Sequence, residues 1–327
     1  MSERTGLLVV AETVDGAATP LTHELLGLAR QIAGEFGDVV SAVVLGEGVG
    51  GVAQDLIARG ADRVYVADDA VFGAFQSDAW MPVLSSLAAE TKPAVILIGH
   101  TSSGADIAPR LAFRLDTTVA TACVAAEVSN GKLMVSRPCY GGNAQEVISF
   151  RTAPAVVTVK AKAFEALPAD PGRAGETKMI DSRPETVRTK IRERKYGSGQ
   201  GSLLETANVV VSGGRGLNGP EGFKLAESLA KLLDGAVGAS RVACDLGWCP
   251  QSFQVGLSGR TVAPELYIAL GISGAGQHMA GCASSKNIIS INTDKDAEIF
   301  KFSRFGVVGD VSEIVPPLIE EIQKLKA

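Results

Sequence analysis

No apolar run in this sequence approaches the roughly 20 residues that a membrane-spanning helix needs, so no stable membrane insertion is expected. Positive charge is not in excess either. The chain has 31 lysines and arginines against 36 acidic residues, a net charge of −5. Without a whole-chain basic field, no nucleic-acid partner is expected. Five cysteines, Cys123, Cys139, Cys244, Cys249 and Cys282, are odd in number and widely spaced, which is no disulfide framework. Cys244 and Cys249 have no matching second pair, so zinc or an iron–sulfur cluster is not indicated. The plain reading is reduced, partly buried thiols packed as small hydrophobes. No His-x-x-x-His or carboxylate spacing points to a metal. No Ser/His/Asp triad can be argued, because chain order does not fix one. Neither a catalytic nucleophile nor a metal ligand is therefore expected. The N-terminus, Met1 to Val10, enters an apolar run without a signal-peptide pattern, so the expected location is the cytoplasm.

What is present is glycine and alternation. The 327 residues are 46% hydrophobic and include 37 glycines, a globular, α/β-like composition of about two domains. Apolar runs at Gly6–Val10, Val39–Leu45, Arg63–Val66 and Ala94–Ile98 read as strands, with helical spacing at Leu21–Phe36 and Val52–Ala58. Runs without polar alternation suit strands covered on both faces of a parallel sheet. Leu133–Ser136, Glu146–Phe150 and Ala155–Val159 read as added strands of antiparallel type. From Lys162 to Ser202 prolines, charges and glycines collect, which marks a connection between domains. Within it, Glu185–Arg194 reads as a charged edge strand. A second α/β unit follows, with strands at Ala207–Val211, Val262–Leu270, Asn287–Ile291 and Phe305–Val308. Its helices are Pro220–Leu233 and Pro317–Lys326, with Pro316-Pro317 expected in a first turn. The expected boundaries are 1–195 for an N-terminal α/β domain, 196–206 for a linker and 207–327 for a doubly wound C-terminal domain. Each domain is built on a mostly parallel sheet with flanking helices.

Three glycine-rich turns punctuate the second unit: Ser212-Gly213-Gly214-Arg215-Gly216, Val255-Gly256-Leu257-Ser258-Gly259 and Gly271-Ile272-Ser273-Gly274-Ala275-Gly276-Gln277-His278. Bare amides, hydroxyls and isolated arginines in such turns suit a phosphate-bearing ligand. The first turn does not match the G-x-G-x-x-G spacing of a dinucleotide turn. A tight turn at a strand end is its plain alternative. Arg215 lies where ligands bind in open α/β sheets. Arg241 is either a surface arginine in an ion pair or a cation set against a developing anion. His278 is either structural or part of a ligand loop.

The ordered runs Gly238-Ala239-Ser240-Arg241, Asp245-Leu246-Gly247-Trp248, Gln254-Val255-Gly256, Val262-Ala263-Pro264-Glu265-Leu266-Tyr267-Ile268-Ala269 and Gly271–His278 resemble the alpha subunit of electron-transfer flavoprotein. Ser284-Ser285-Lys286, Ile291-Asn292-Thr293-Asp294 and Phe305-Gly306-Val307-Val308-Gly309-Asp310 continue the match, which is dense from Ala207 to Leu318. It is thinner at Asp106–Ala112 and Arg137–Asn143. The resemblance implies an FAD-binding C-terminal domain and an N-terminal domain packed on a beta subunit. It implies acyl-CoA or other flavin dehydrogenases as donors. A quinone oxidoreductase, ferredoxin or flavodoxin would be the downstream electron acceptor. Carried over by position, Arg241 would favour the anionic reduced flavin, Ser258 would offer its hydroxyl to flavin N5, and His278 would approach the O2 edge. Ser273, the backbone at Gly274 and Ala275, Asn292 and Asp310 would hold the pyrophosphate and adenosine. Arg215 would sit beside the cofactor. Ser240, Gln254, Val255, Gly256, Leu257, Gly259, Gly271 and Gln277 complete the expected site. Where the family commonly has Gly-Gln-Thr-Gly, this chain has Gly256-Leu257-Ser258-Gly259, which removes an amide and keeps a hydroxyl. An electron-bifurcating alpha subunit, using NADH with a second FAD in beta, is an alternative. A nicotinamide-dependent dehydrogenase is another, against which the poor G-x-G-x-x-G match counts.

Overall fold

Strand β1, Leu7–Ala11, is buried along its whole length and lies in the middle of a seven-stranded sheet. The computed structural model describes residues 4–37, 39–142, 144–180, 187–189, 191–193 and 204–326. The chain divides into two compact units, residues 1–139 with 145–192 and residues 140–144 with 193–327.

A short hairpin follows β1, made of β2 (Thr13–Val14) and β3 (Ala17–Ala18). Next come α1 (Pro20–Ile32), β4 (Val40–Gly46), α2 (Val52–Ala58), β5 (Arg63–Asp68), α3 (Ser77–Thr91) and β6 (Val95–Gly99). The chain continues through α4 (Ser102–Arg114), β7 (Val119–Cys123), β8 (Ala125–Ser129), β9 (Lys132–Cys139), β10 (Ala144–Ser149), β11 (Ala155–Val159) and β12 (Glu176–Met179). The main sheet has the order β12-β5-β4-β1-β6-β11-β7, with parallel pairs throughout. Successive side chains of a strand point to opposite faces. Leu7, Val9 and Ala11 therefore pack with Leu25 and Leu28 of α1 and Leu56 of α2. Leu8 and Val10 pack with Leu84 of α3 and with Ile107 and Leu111 of α4.

Three expectations change here. Ala155–Val159 is a parallel strand between β6 and β7; only β8–β10 form a separate small sheet, with β8 and β9 antiparallel. The stretch read as a connection contributes β12, parallel to β5. Of the expected edge strand at 185–194, residues 185, 186, 190 and 194 lie outside the described residues, and the rest is not strand. Residues 196–203 of the expected linker also lie outside the described residues.

The second unit carries β13 (Val209–Gly213), α5 (Pro220–Leu232), β14 (Ala236–Ala239), α6 (Arg241–Asp245) and β15 (Leu266–Leu270). It ends with α7 (Gly276–Cys282), β16 (Asn287–Asn292), β17 (Phe305–Val308) and α8 (Val311–Lys326). Its all-parallel sheet has the order β14-β13-β15-β16-β17. Helices cover both faces. Phe223 and Leu229 of α5 and Val315 of α8 pack on Val211 and Ile268, whereas Met279 and Cys282 of α7 pack on Val210 and Tyr267. The strand expected from Val262 begins only at Leu266, because Pro264 has no N–H for a ladder. Helix α8 starts six residues earlier than expected, so Pro316 and Pro317 lie inside it. Asp310 begins this helix, with its carboxylate accepting from the Ser312 amide at 2.8 Å.

Chain order in the second sheet reverses between β13 and β15. In open α/β sheets that reversal opens a crevice beyond the carboxyl ends of the two strands, where ligands bind.

Candidate functional site

A cavity of about 900 Å³ occupies that crevice, within the roughly 300–1,000 Å³ of small-molecule and cofactor sites. Four strand ends and one loop supply its wall. Arg215 follows β13, Ser240 and Arg241 follow β14, and Gly271, Ser273 and Ala275 follow β15, with Gln277 and His278 at the start of α7. Asn292 ends β16, and Gln254 to Ser258 form the loop between α6 and β15. The structure thus brings fourteen of the seventeen expected residues to one wall, leaving out Gly259, Gly274 and Asp310.

Those three have other duties. A Cβ on Gly274 would lie 2.2 Å from the Ile299 amide nitrogen, and one on Gly259 would lie 2.4 Å from the Gln254 carbonyl. Both glycines are needed for backbone packing. Asp310 is occupied at the start of α8, where the Ser312 hydroxyl also donates to it at 2.7 Å.

Packing also explains the first glycine turn. The Gly214 amide donates to the Leu270 carbonyl at 2.8 Å and the Gly216 amide to the Gly271 carbonyl at 3.0 Å. A Cβ on Gly271, whose φ is +64°, would meet the Gly216 Cα at 2.6 Å. The turns after β13 and β15 are therefore fastened backbone to backbone, and these amides are not bare. The amides of Gly256 and Leu257 are likewise engaged, by the carbonyls of Arg260 at 3.1 Å and Gln277 at 2.7 Å. At α7 the first intrahelical bonds come from His278 and Met279, both to the Ala275 carbonyl. The Gly276 and Gln277 amides consequently point past the helix end.

His278 is 8% exposed. Its Nε2 lies 2.8 Å from the hydroxyl of the fully buried Tyr267. Its Nδ1 is buried without a hydrogen-bond partner among the described residues. Burial lowers the His278 pKa to about 4, with the Val255 carbonyl opposing weakly, so the imidazole is neutral near pH 7. Burial raises the Tyr267 pKa well above its ordinary value, which keeps the phenol protonated.

Gln254 is buried, and its Nε2 donates to the Ser258 hydroxyl at 2.9 Å. That leaves the Ser258 O–H free to donate. Leu257 beside it is exposed. Asn292 donates to the Ile272 carbonyl at 2.9 Å and accepts from the Asp294 amide at 2.9 Å, tying two strand ends together. Arg241 is a surface cation in this chain, its side chain 69% exposed and its Nε 3.2 Å from an Asp245 oxygen in an i,i+4 pair. Arg215 is exposed as well.

Six wall residues were not expected: Gly216, Asn218, Val242, Ile272, Asp294 and Ala297. Asn218 and Gly216 flank Arg215, and Asp294 closes the Ile291–Asp294 run, so proximity was their available signal. Ile272 lies within the Gly271–His278 turn and had the same signal, whereas Val242 and Ala297 look like core. Among the described residues no helix is long and apolar enough to cross a membrane.

A doubly wound sheet with a dinucleotide-sized cavity at its switch point, rimmed by two arginines, has the build of a dinucleotide-binding protein. An electron transfer flavoprotein domain matches residues 7–184 and an electron transfer flavoprotein FAD-binding domain matches residues 203–283. The chain is 41% identical over 330 residues to the electron transfer flavoprotein subunit alpha of Thermoanaerobacterium thermosaccharolyticum, covering 100% of both chains. It is 38% identical to that of Bacillus subtilis, covering 98% of each. It is also 34% identical to a protein of Acetobacterium woodii named lactate dehydrogenase (NAD(+),ferredoxin) subunit LctC, covering 97% of this chain and 77% of that one. The chain belongs to the electron transfer flavoprotein alpha subunits. Its second unit carries the FAD-binding domain of that family, whose alpha subunits partner with a beta subunit.

Proposed function

We propose that the cavity holds FAD, with the flavin end against Arg241, Ser258 and His278. The pyrophosphate and adenosine would lie towards Ser273, the Gly276 and Gln277 amides and Asn292. The convergence of fourteen expected residues on one cavity at the carboxyl ends of the strands carries this reading. Bound FAD supplies reversible uptake and release of electrons at its ring system.

The chain's own groups fit that cofactor. With Tyr267 O–H as the donor to His278 Nε2, 2.8 Å away, the imidazole proton would sit on Nδ1. The neutral ring lines the cavity wall and would meet an electron-rich ligand atom with an N–H. A neutral donor of this kind strengthens as the ligand gains negative charge and carries no buried charge of its own. Gln254 holds the Ser258 oxygen, which turns the serine O–H outward as a second donor. Arg241 and Arg215 place positive charge at the rim, which favours the more negative state of whatever the cavity holds. The Gly276 and Gln277 amides suit phosphate oxygens.

In this proposal residues 207–327 hold FAD, residues 1–195 pack on the beta subunit, and 196–206 link them. The assembly works in the cytoplasm. It accepts electrons from acyl-CoA or other flavin dehydrogenases and passes them to a quinone oxidoreductase, ferredoxin or flavodoxin. The name of the Acetobacterium woodii relative supports a second reading, electron bifurcation with NADH and a second FAD in beta. Two FAD per heterodimer, rather than one FAD with AMP, would favour it.

The test is spectroelectrochemical titration of the heterodimer with Arg241→Ala. Loss of one exposed cation is expected to lower the flavin potential by the equivalent of about 1 kcal/mol with FAD retained. An unchanged potential with FAD fully bound removes Arg241 from the site. Release of FMN instead of FAD overturns the whole assignment.

A further inference from the structure

The five cysteines include one pair in contact. Cys244 Sγ and Cys249 Sγ are 3.5 Å apart. Their approach is built into the backbone. Helix α6 ends in a Schellman turn, in which the Trp248 amide donates to the Ala243 carbonyl at 3.1 Å and the Gly247 amide to the Cys244 carbonyl at 2.9 Å. Gly247 takes the left-handed conformation this turn needs, with φ +74°. The chain is thereby folded back so that residue 249 returns beside residue 244. Cys244 is buried, whereas Cys249 is partly exposed, so a small reagent can reach one sulfur while the other waits behind it.

We propose that Cys244 and Cys249 form a reversible dithiol–disulfide couple beside the cavity, oxidised by low-molecular-weight disulfides. This inference does not depend on what fills the cavity. Cys249 thiolate attacks the small disulfide, forming a mixed disulfide and releasing one thiol. Cys244 thiolate then attacks the Cys249 sulfur, closing the protein disulfide and releasing the second thiol. Two protein thiols and one small disulfide become one protein disulfide and two small thiols, so atoms and electrons balance. The sulfurs have to close from 3.5 Å to about 2 Å. Contact between the two sulfurs lowers the Cys244 pKa and, together with burial, raises that of Cys249. A proton shared between them therefore rests chiefly on Cys249, and its passage to Cys244 across the 3.5 Å contact frees the accessible Cys249 sulfur to attack.

The couple is wired to the cavity wall. Asp245 follows Cys244 and holds Arg241 at 3.2 Å and the Gln251 amide at 3.3 Å. Closing the disulfide stiffens the turn that carries the partner of Arg241.

The experiment equilibrates the intact FAD-loaded heterodimer in glutathione buffers, blocks free thiols by alkylation and digests with trypsin. Cleavage after Arg241 and Arg260 puts both cysteines in one peptide. With rising oxidised glutathione, the doubly alkylated peptide should give way to an unalkylated one two hydrogens lighter than the dithiol peptide, and reduced glutathione should reverse this. In Cys244→Ser the same treatment should leave glutathione on Cys249. The buried Cys123 and Cys282 should stay fully alkylated after denaturation. Persistence of the doubly alkylated peptide at the most oxidising ratio overturns the proposal. So does a wild-type peptide carrying glutathione on Cys249 and alkylated Cys244.

Discussion

The Tyr267 hydroxyl lies 2.8 Å from Nε2 of His278, inside the core, and the Val255 carbonyl acts on the same ring. A phenol that donates to Nε2 would leave the imidazole proton on Nδ1, and the Val255 carbonyl is the ring's backbone partner. Tyr267→Phe keeps the ring and removes the donor. We expect ¹⁵N NMR of His278 to change from one tautomer to a mixture. Stability should fall by about 1–3 kcal/mol, because a buried ring nitrogen loses its partner. Retention of a single tautomer would show that something other than Tyr267 orients the ring.

The pH dependence of stability follows from the same burial. His278 has a pKa of about 4 in the folded chain against an ordinary value of 6.5. The unfolded chain therefore binds this proton more readily. Stability from this residue falls as pH drops from 6.5 towards 4, and the loss levels off below the folded pKa. The full window corresponds to about 3 kcal/mol. Other groups titrate there too, so the measurement is the difference between wild type and His278→Gln in denaturant unfolding of the FAD-free protein. The wild-type curve should be the steeper one. Parallel curves would place the imidazole in contact with water.

The glycine turns separate what sequence shows from what only the fold decides. The βαβ order, the apolar strands β1 and β6, the mostly apolar β4 and the clustered site loops were legible, since each is a local pattern. Helices α3 and α4 were not named, because Pro82 and Pro109 lie inside them and interrupt the spacing that marks a helix. Ala155–Val159 reads as an added strand, but its direction depends on which strands it joins. Gly214, Gly216 and Gly271 read as room for a ligand, whereas their missing side chains admit another backbone. Periodicity carries no information on such partners from distant parts of the chain. The contact between Cys244 and Cys249 was hidden for the same reason, since spacing does not show a Schellman turn closing between them.

Two glycine substitutions tell these roles apart. At Gly271 a Cβ meets the Gly216 Cα at 2.6 Å from a left-handed backbone, and Gly271→Ala should cost well over 1 kcal/mol in unfolding free energy. At Gly276 a Cβ meets nothing within 4 Å, so Gly276→Ala should leave unfolding within about 0.5 kcal/mol of wild type. If the amides of Gly276 and Gln277 receive phosphate, this substitution should still weaken FAD binding. Titration of FAD into the stripped protein measures it, and unaltered affinity would move the phosphates elsewhere along the wall.

Ser258 and Leu257 are adjacent and should behave oppositely. Ser258 accepts from the buried Gln254 side chain at 2.9 Å. Ser258→Ala strands that amide and removes the outward O–H together. We expect a stability loss of about 1–3 kcal/mol and a measurable shift in flavin potential with FAD retained. Leu257 is 68% exposed and its backbone amide is held by the Gln277 carbonyl. Leu257→Gln should therefore change unfolding by no more than about 0.5 kcal/mol, because neither core packing nor the backbone bond is lost. Its effect belongs at the mouth of the cavity, where an amide replaces an apolar side chain beside the Ser258 hydroxyl. The flavin potential should move while the unfolding midpoint does not. Potentials of both variants equal to wild type would mean that this loop borders the cavity without touching the flavin.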